Sequence, residues 1–283
     1  MALNFSIPTT LAYFSALVQS DEHFPLLEAA ACLAHDEYPE LDMEQVLADV
    51  DRMAARLERR VAPGTSALER VRALNQFFFG DLGFGGNVND YYNPDNSHLN
   101  VVLHTRRGIP ISLAVIWLEL AQGLGLEAEG VGFPGHFLVQ ITLPGGKVVI
   151  DPFSGQSLSR SDLRERIAEI HPNLPLREGS DLPLALYLQS CRPRQIIARM
   201  LRNLQEIHRS QQDWPRLLAV QERLVILLPQ AWEEVRDRGL TLAELGERQR
   251  ARQDLSLYLR EAPHAGDRQA MAERLADLGG GLP

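Results

Sequence analysis

The stretch from residue 109 to residue 153 constrains the fold more tightly than any other part of the chain. Residues 109–124, IPISLAVIWLELAQGL, are almost wholly apolar. Proline has its φ fixed near the helical value and carries no amide hydrogen, so Pro110 suits the first turn of a helix, where that hydrogen would go unused. Gly125 supplies the stop. A helix apolar all round has to be buried. After it come the β-rich runs LEAEGVGF, HFLVQITL and KVVIDPF, separated by Pro134-Gly135 and Pro144-Gly145-Gly146. That pattern predicts sequential antiparallel strands joined by turns. A buried helix packed on an antiparallel sheet makes an α+β core.

Two titratable residues stand at strand ends in this core. His136 opens one strand and Asp151 closes the next, fifteen positions on, with the glycine turn between them. A hairpin brings the two side by side. The carboxylate can then fix the imidazole tautomer and support its positive charge, as the third member of a catalytic triad does. A hydrogen bond that merely joins two strands has the same spacing, and the pair alone leaves both readings open.

The flanks read as helix and loop. Apolar residues recur at helical spacing between residues 10 and 61, as in Leu26, Leu27, Ala30, Leu33 and then Val46, Leu47, Val50, Met53, Leu57. Two or three amphipathic helices follow, forming an N-terminal helical region over residues 1–62. Pro63-Gly64-Thr65-Ser66 ends that block with turn and cap chemistry, and residues 67–79 read as another helix. Residues 80–108 are crowded with glycine, asparagine and aspartate and are expected as a long ordered loop anchored by Phe84, Tyr91 and Tyr92. The core is expected over residues 63–182. Its last part, residues 154–183, reads as a proline-bearing linker (Pro172, Pro175, Pro183) with a short helix over residues 161–170.

From residue 194 onward the chain is helical. Pro229 and Pro263 lie 34 residues apart, the period of tetratricopeptide helix pairs, and Gly239, Ala251 and Leu255 suit the small and packing positions of that repeat. Residues 183–283 are thus expected to be an all-α, tetratricopeptide-like module. Such modules present a helical surface to peptides or partner helices, which implies a protein or peptide partner.

Composition narrows the function classes. With 283 residues the chain exceeds the usual size of one hydrophobic core. A formal net charge of -9 opposes binding to a phosphate backbone, so the arginine clusters Arg56, Arg59, Arg60 and Arg70, Arg72 read as solvated helix faces. The only cysteines are Cys32 and Cys191. No secretory leader pattern and no apolar run long enough for a bilayer occurs in the sequence, so a cytoplasmic protein is expected. No cofactor motif is present. His98 and His104 are six positions apart and match no compact ligand pair, so no metal site is expected.

Residues 106–153 resemble the transglutaminase-like core. In that superfamily a glycine-led segment places a cysteine at the start of a buried helix, a strand presents a histidine and the next ends in an aspartate. The resemblance implies that His136 and Asp151 are the histidine and aspartate of that Cys-His-Asp site. The family pattern of glycine, any residue, cysteine, with alanine four positions later, falls on Gly108, Ile109, Pro110 and Ala114. Proline stands where the nucleophile belongs. Thiolate acylation is impossible there on chemical grounds. Ser112 is a candidate substitute, but it lies about 200° around a helix from Pro110 and reads better as a first-turn residue satisfying backbone. Tyr91, Tyr92, His98 and Trp117 are the further cleft candidates. The wider string YYNP, RRGIPISL, GVGFPGHFLV, DPFSGQSLS is similar to the SirB-type family, described as regulators of sirC expression, which joins a transglutaminase-like domain to tetratricopeptide repeats and carries proline at this position.

The expectation is a non-catalytic regulatory or protein-binding protein. One alternative is an amide hydrolase or transamidase that depends on His136 and Asp151 and uses another nucleophile. The other is a nucleic-acid-binding regulator.

Overall fold

Caps and spacing start the helices where the residue types dictate. The structure, a computed structural model, describes residues 9–170 and 184–279. The Thr9 hydroxyl accepts from the Ala12 amide at 3.1 Å and begins α1 (Thr10–Leu17). Helix α2 (Leu26–Cys32) buries a run of small residues, Ala29 to Cys32. Asp42 accepts from the Gln45 amide at 3.1 Å and starts α3 (Met43–Glu58), which buries Val46, Val50, Met53 and Leu57 on one stripe. A capping box between Ser66 and Glu69 starts α4 (Ala67–Asn75), which runs on into a π-helical turn over Gln76–Asp81.

Residues 80–108 are more regular than their composition suggests. They contain β1 (Gly85–Gly86), a 3-10 turn over Pro94–Ser97, α5 (Leu99–Thr105) and β2 (Arg107–Gly108), which pairs with β1 in parallel. The expected long loop is therefore corrected. Leu99, Val102 and Leu103 repeat at helical spacing and are all buried, which outweighs the weak helix propensity around them.

Helix α6 (Pro110–Gly123) is the centre of the core. Ten of its residues are buried, Trp117 and Leu120 completely, and it packs against α2, α3 and α4. Each such large side chain contributes about 2 kcal/mol by burial. It also packs on the sheet formed by β3 (Ala128–Val131), β4 (Leu138–Leu143), β5 (Gly146–Ile150), β6 (Ser157–Leu158) and β7 (Ser190–Cys191), in the order β6-β5-β4-β3-β7. All neighbouring strands are antiparallel. The opposite face, with Val131, Leu138 and Val149, buries Leu163 and Ile167 of α7 (Arg160–Ile170). Thus the expected linker supplies an edge strand and a core helix. Its three prolines, Pro172, Pro175 and Pro183, lie outside the described residues. Helix α8 (Leu184–Tyr187) leads into β7, and α9 (Pro193–Ser210) follows.

The chain divides into two compact units, residues 24–200 and residues 1–23 with 201–283. The helices expected as one region over residues 1–62 are shared between them: α2 and α3 pack on the α6 core, whereas α1 packs on α10 (Trp214–Leu227). Phe14 of α1 is fully buried there, with the Arg223 guanidinium over its ring at 5.8 Å. The same unit continues with α11 (Trp232–Glu244), α12 (Arg248–Glu261) and α13 (Arg268–Gly279). Gly239 of α11 lets α12 approach, since a side chain there would meet Asp254 Cβ at 3.0 Å and Leu255 at 3.2 Å. Ion pairs tie the helices on their polar faces, among them Arg238 on both oxygens of Asp254 and Arg202 on Glu234.

Candidate functional site

The connection from β3 to β4 carries the histidine. Phe133 and Phe137 are buried anchors at its two ends, and His136 between them keeps its side chain 21% exposed. His136 stands in a turn, its amide donating to Phe133 O at 3.1 Å, and β4 begins only at Leu138. The expectation that it opens the strand is off by that much. Asp151 follows the last residue of β5, and the pairing of Val139 with Ile150 brings the two ends together. His136 Nε2 lies 2.8 Å from Asp151 Oδ1.

Asp151 is saturated with donors. The Phe153 amide donates to Oδ1 at 2.9 Å, and Arg166 Nη2 of α7 donates to Oδ2 at 2.9 Å. Burial alone would raise the carboxyl, but the bonds and charge of His136 and Arg166, with the Phe153 amide, outweigh it and hold the group well below the usual carboxylate range. An ionised carboxylate only accepts, so the His136 nitrogen that faces it, Nε2, is a donor and the ring is oriented by that bond. Arg199 of α9 fixes the same turn from behind, donating to His136 O at 2.7 Å and Phe133 O at 3.3 Å. Burial lowers the Arg199 guanidinium.

The glycine strands bring the start of α6 to this place. Gly108 of β2 pairs with Gly86 of β1, and the Gly86 amide donates to Phe153 O at 2.8 Å. The Phe153 ring lies so close over Gly86 that a Cβ there would fall 2.2 Å from ring carbons. The same ring is 6.4 Å from His136 and 5.9 Å from Tyr91, centre to centre. Pro110, two residues beyond Gly108, is buried at the first position of α6.

Residues 44–202 match the family model described as the transglutaminase-like superfamily, and residues 204–276 match a tetratricopeptide repeat. A UPF0162 protein of Xylella fastidiosa (strain 9a5c) is 39% identical over 259 residues, 91% of each chain. The chain belongs to the UPF0162 family of transglutaminase-like proteins. A UPF0162 protein of Pseudomonas aeruginosa is 28% identical across 89% of this chain and 90% of its own. The UPF0162 protein YchA of Escherichia coli (strain K12) is 30% identical across 84% and 87%. The pairing of a transglutaminase-like core with tetratricopeptide repeats agrees with the SirB-type resemblance.

In this UPF0162 chain the structure brings only some of the predicted residues together. Tyr91 stands beside the site, 40% exposed, where burial first and then Tyr92 push its hydroxyl up, against an opposite pull from Arg199. Tyr92 packs edge-on against Tyr91 and is 77% exposed. Three cleft candidates are corrected. Ser112 is fully buried, and its hydroxyl faces Asn96 O at 2.6 Å and Ile109 O at 3.0 Å while accepting from the Ile109 amide, so it serves the helix start. Trp117 sits in the core with Nε1 donating to Asn75 Oδ1 at 3.0 Å. His98 is buried at the start of α5, edge-on to Tyr38 at 5.7 Å and 3.7 Å from Asp95. Cys32 is buried on α2 and Cys191 lies on β7. Sequence reasoning missed Arg166 and Arg199, since both come from helices well beyond Asp151 and no spacing rule links them to it. The two glycines of β1 were the available signal for Phe153.

Proposed function

We propose that this UPF0162 protein carries out no amide chemistry of its own and acts by binding proteins, through its helical repeats and through the disarmed cleft around His136. Pro110 carries the reading. It stands at the nucleophile position, buried, with no group to acylate, and the hydroxyl of Ser112, two residues on, is committed to the helix start. Exposed apolar groups beside His136 support a binding role. Tyr91 and Tyr92, 40% and 77% exposed, adjoin the site through Phe153, and Ile170, 41% exposed, lies against Gly135, the residue before His136. Two free cysteines suit a reducing compartment, so the cytoplasm is part of the proposal.

The test is amide hydrolysis and amine incorporation on glutamine peptides, comparing wild type with Pro110→Cys and His136→Ala. Wild type is expected to be silent, and Pro110→Cys to gain thiol-dependent turnover, because Asp151 already orients the His136 ring. Turnover by wild type that disappears in His136→Ala would overturn the proposal and assign the site a nucleophile of its own.

A further inference from the structure

A second concavity lies in the unit of residues 24–200, lined by none of His136, Asp151 or Pro110. It has a volume of about 720 Å³, within the range of ligand pockets. Its apolar lining comes from four separate elements: Phe24 ahead of α2, Leu47 on α3, Leu118 on α6 and Ile196 on α9. Phe24 is held in place by the Arg194 guanidinium over its ring at 5.5 Å.

Acidic groups outnumber basic ones on this groove. Asp51, Glu119, Glu127 and Glu129 line it, with Arg192 on the lining and Arg194 over Phe24 as the cations. Lys147 reaches Glu129 at 3.8 Å. Glu119 of α6 and Asp51 of α3 face one another across two packed helices, and among the described residues neither is joined to a basic side chain. Burial, and then the charge of Asp51, push the Glu119 carboxyl up. Two neighbouring carboxylates without a counter-ion oppose folding, and a cation supplied from outside removes that cost.

We propose that this groove is a docking site for a basic, amphipathic peptide segment of a partner protein, its aliphatic side chains lying on Phe24, Leu47, Leu118 and Ile196 and its lysine or arginine side chains reaching Glu119, Asp51 and Glu127. The apolar lining selects a peptide over a bare polyamine, and the carboxylates select a basic peptide over a neutral one. The complementarity gives specificity and a salt-dependent association.

The experiment uses the full chain and a fluorescein-labelled peptide of alternating Leu-Leu and Lys-Lys pairs, read by fluorescence anisotropy at low and high salt. Saturable binding is expected, weakened by salt, and weakened roughly tenfold or more in the double variant Asp51→Asn/Glu119→Gln. Because that variant removes a like-charge pair, its melting temperature is expected to hold or rise, which separates lost binding from lost folding. Leu118→Ser is expected to weaken the peptide while leaving the salt dependence in place. Absence of binding overturns the proposal. So does equal binding of the peptide with Glu-Glu in place of Lys-Lys, equal binding by the double variant, or competition by spermidine at the peptide's own concentration. Catalytic silence or turnover at His136 has no bearing on any of these outcomes.

Discussion

Asp151 is the residue on which the arrangement around His136 turns. Its carboxyl is depressed in the folded state, so it contributes stability that is fully present above the ordinary carboxylate range and is lost as pH falls through that range towards the folded value. Asp151→Asn is therefore expected to flatten the acid side of the stability profile measured by urea titration below about pH 4. At neutral pH, Asp151→Ala is expected to cost about 3 kcal/mol, because Arg166 and His136 lose their shared, buried acceptor. An unchanged acid limb in Asp151→Asn would show that the three donors do not hold the group as described. Gly86 gives a steric counterpart. A methyl there meets the Phe153 ring, so Gly86→Ala is expected to cost about 1–3 kcal/mol, and the loss is expected to be much smaller when introduced into Phe153→Ala. Additive losses in that cycle would rule out the contact as the cause. The His136–Asp151 pair was legible in the sequence because both stand at strand ends across one short hairpin. Arg166 and Arg199 were not, since an arginine on a helix faces whatever tertiary packing puts in front of it.

At the scale of elements, local signals located what local chemistry controls. The Ser66/Glu69 capping box marks the start of α4 in the sequence and does so in the structure. Ser66→Ala is expected to cost about 1 kcal/mol in thermal unfolding, and Ser66→Asp much less, since aspartate caps as well. The α6 helix and the β3–β4–β5 meander were readable from apolar runs and turn residues. Helix α5 was not, because Asn, His and Thr surround its three buried side chains and local propensity there points to a loop. Trp117 shows the opposite limit: the period that places it on a helix cannot tell a core face from a cleft face when the helix is apolar on every side.

For the whole molecule, the least legible feature is where α1 goes. Its apolar spacing announces a helix and says nothing of the partner, which is settled by packing against α10. Phe14→Ala is expected to remove about 3 kcal/mol from the unit of residues 1–23 and 201–283. Hydrogen exchange should show that loss as lowered protection in α1 and α10 with α6 unchanged, and a uniform loss across both units would contradict the division. The boundary of the helical module also differs from the expected one at residue 183: β7 joins the core sheet, and the core unit runs to residue 200.

The seating of Phe14 also fixes an order of events during synthesis. Helix α1 leaves the ribosome before α10, and the surface that receives it is made roughly two hundred residues later, at a delay on the order of ten to forty seconds at ordinary translation rates. For that interval the aromatic ring has no native contact available, and α1 is too short to hold a helix alone. The nascent chain therefore carries α1 past a whole folding domain before its partner helix exists, which makes its seating sensitive to any change in the speed at which the later helices are translated.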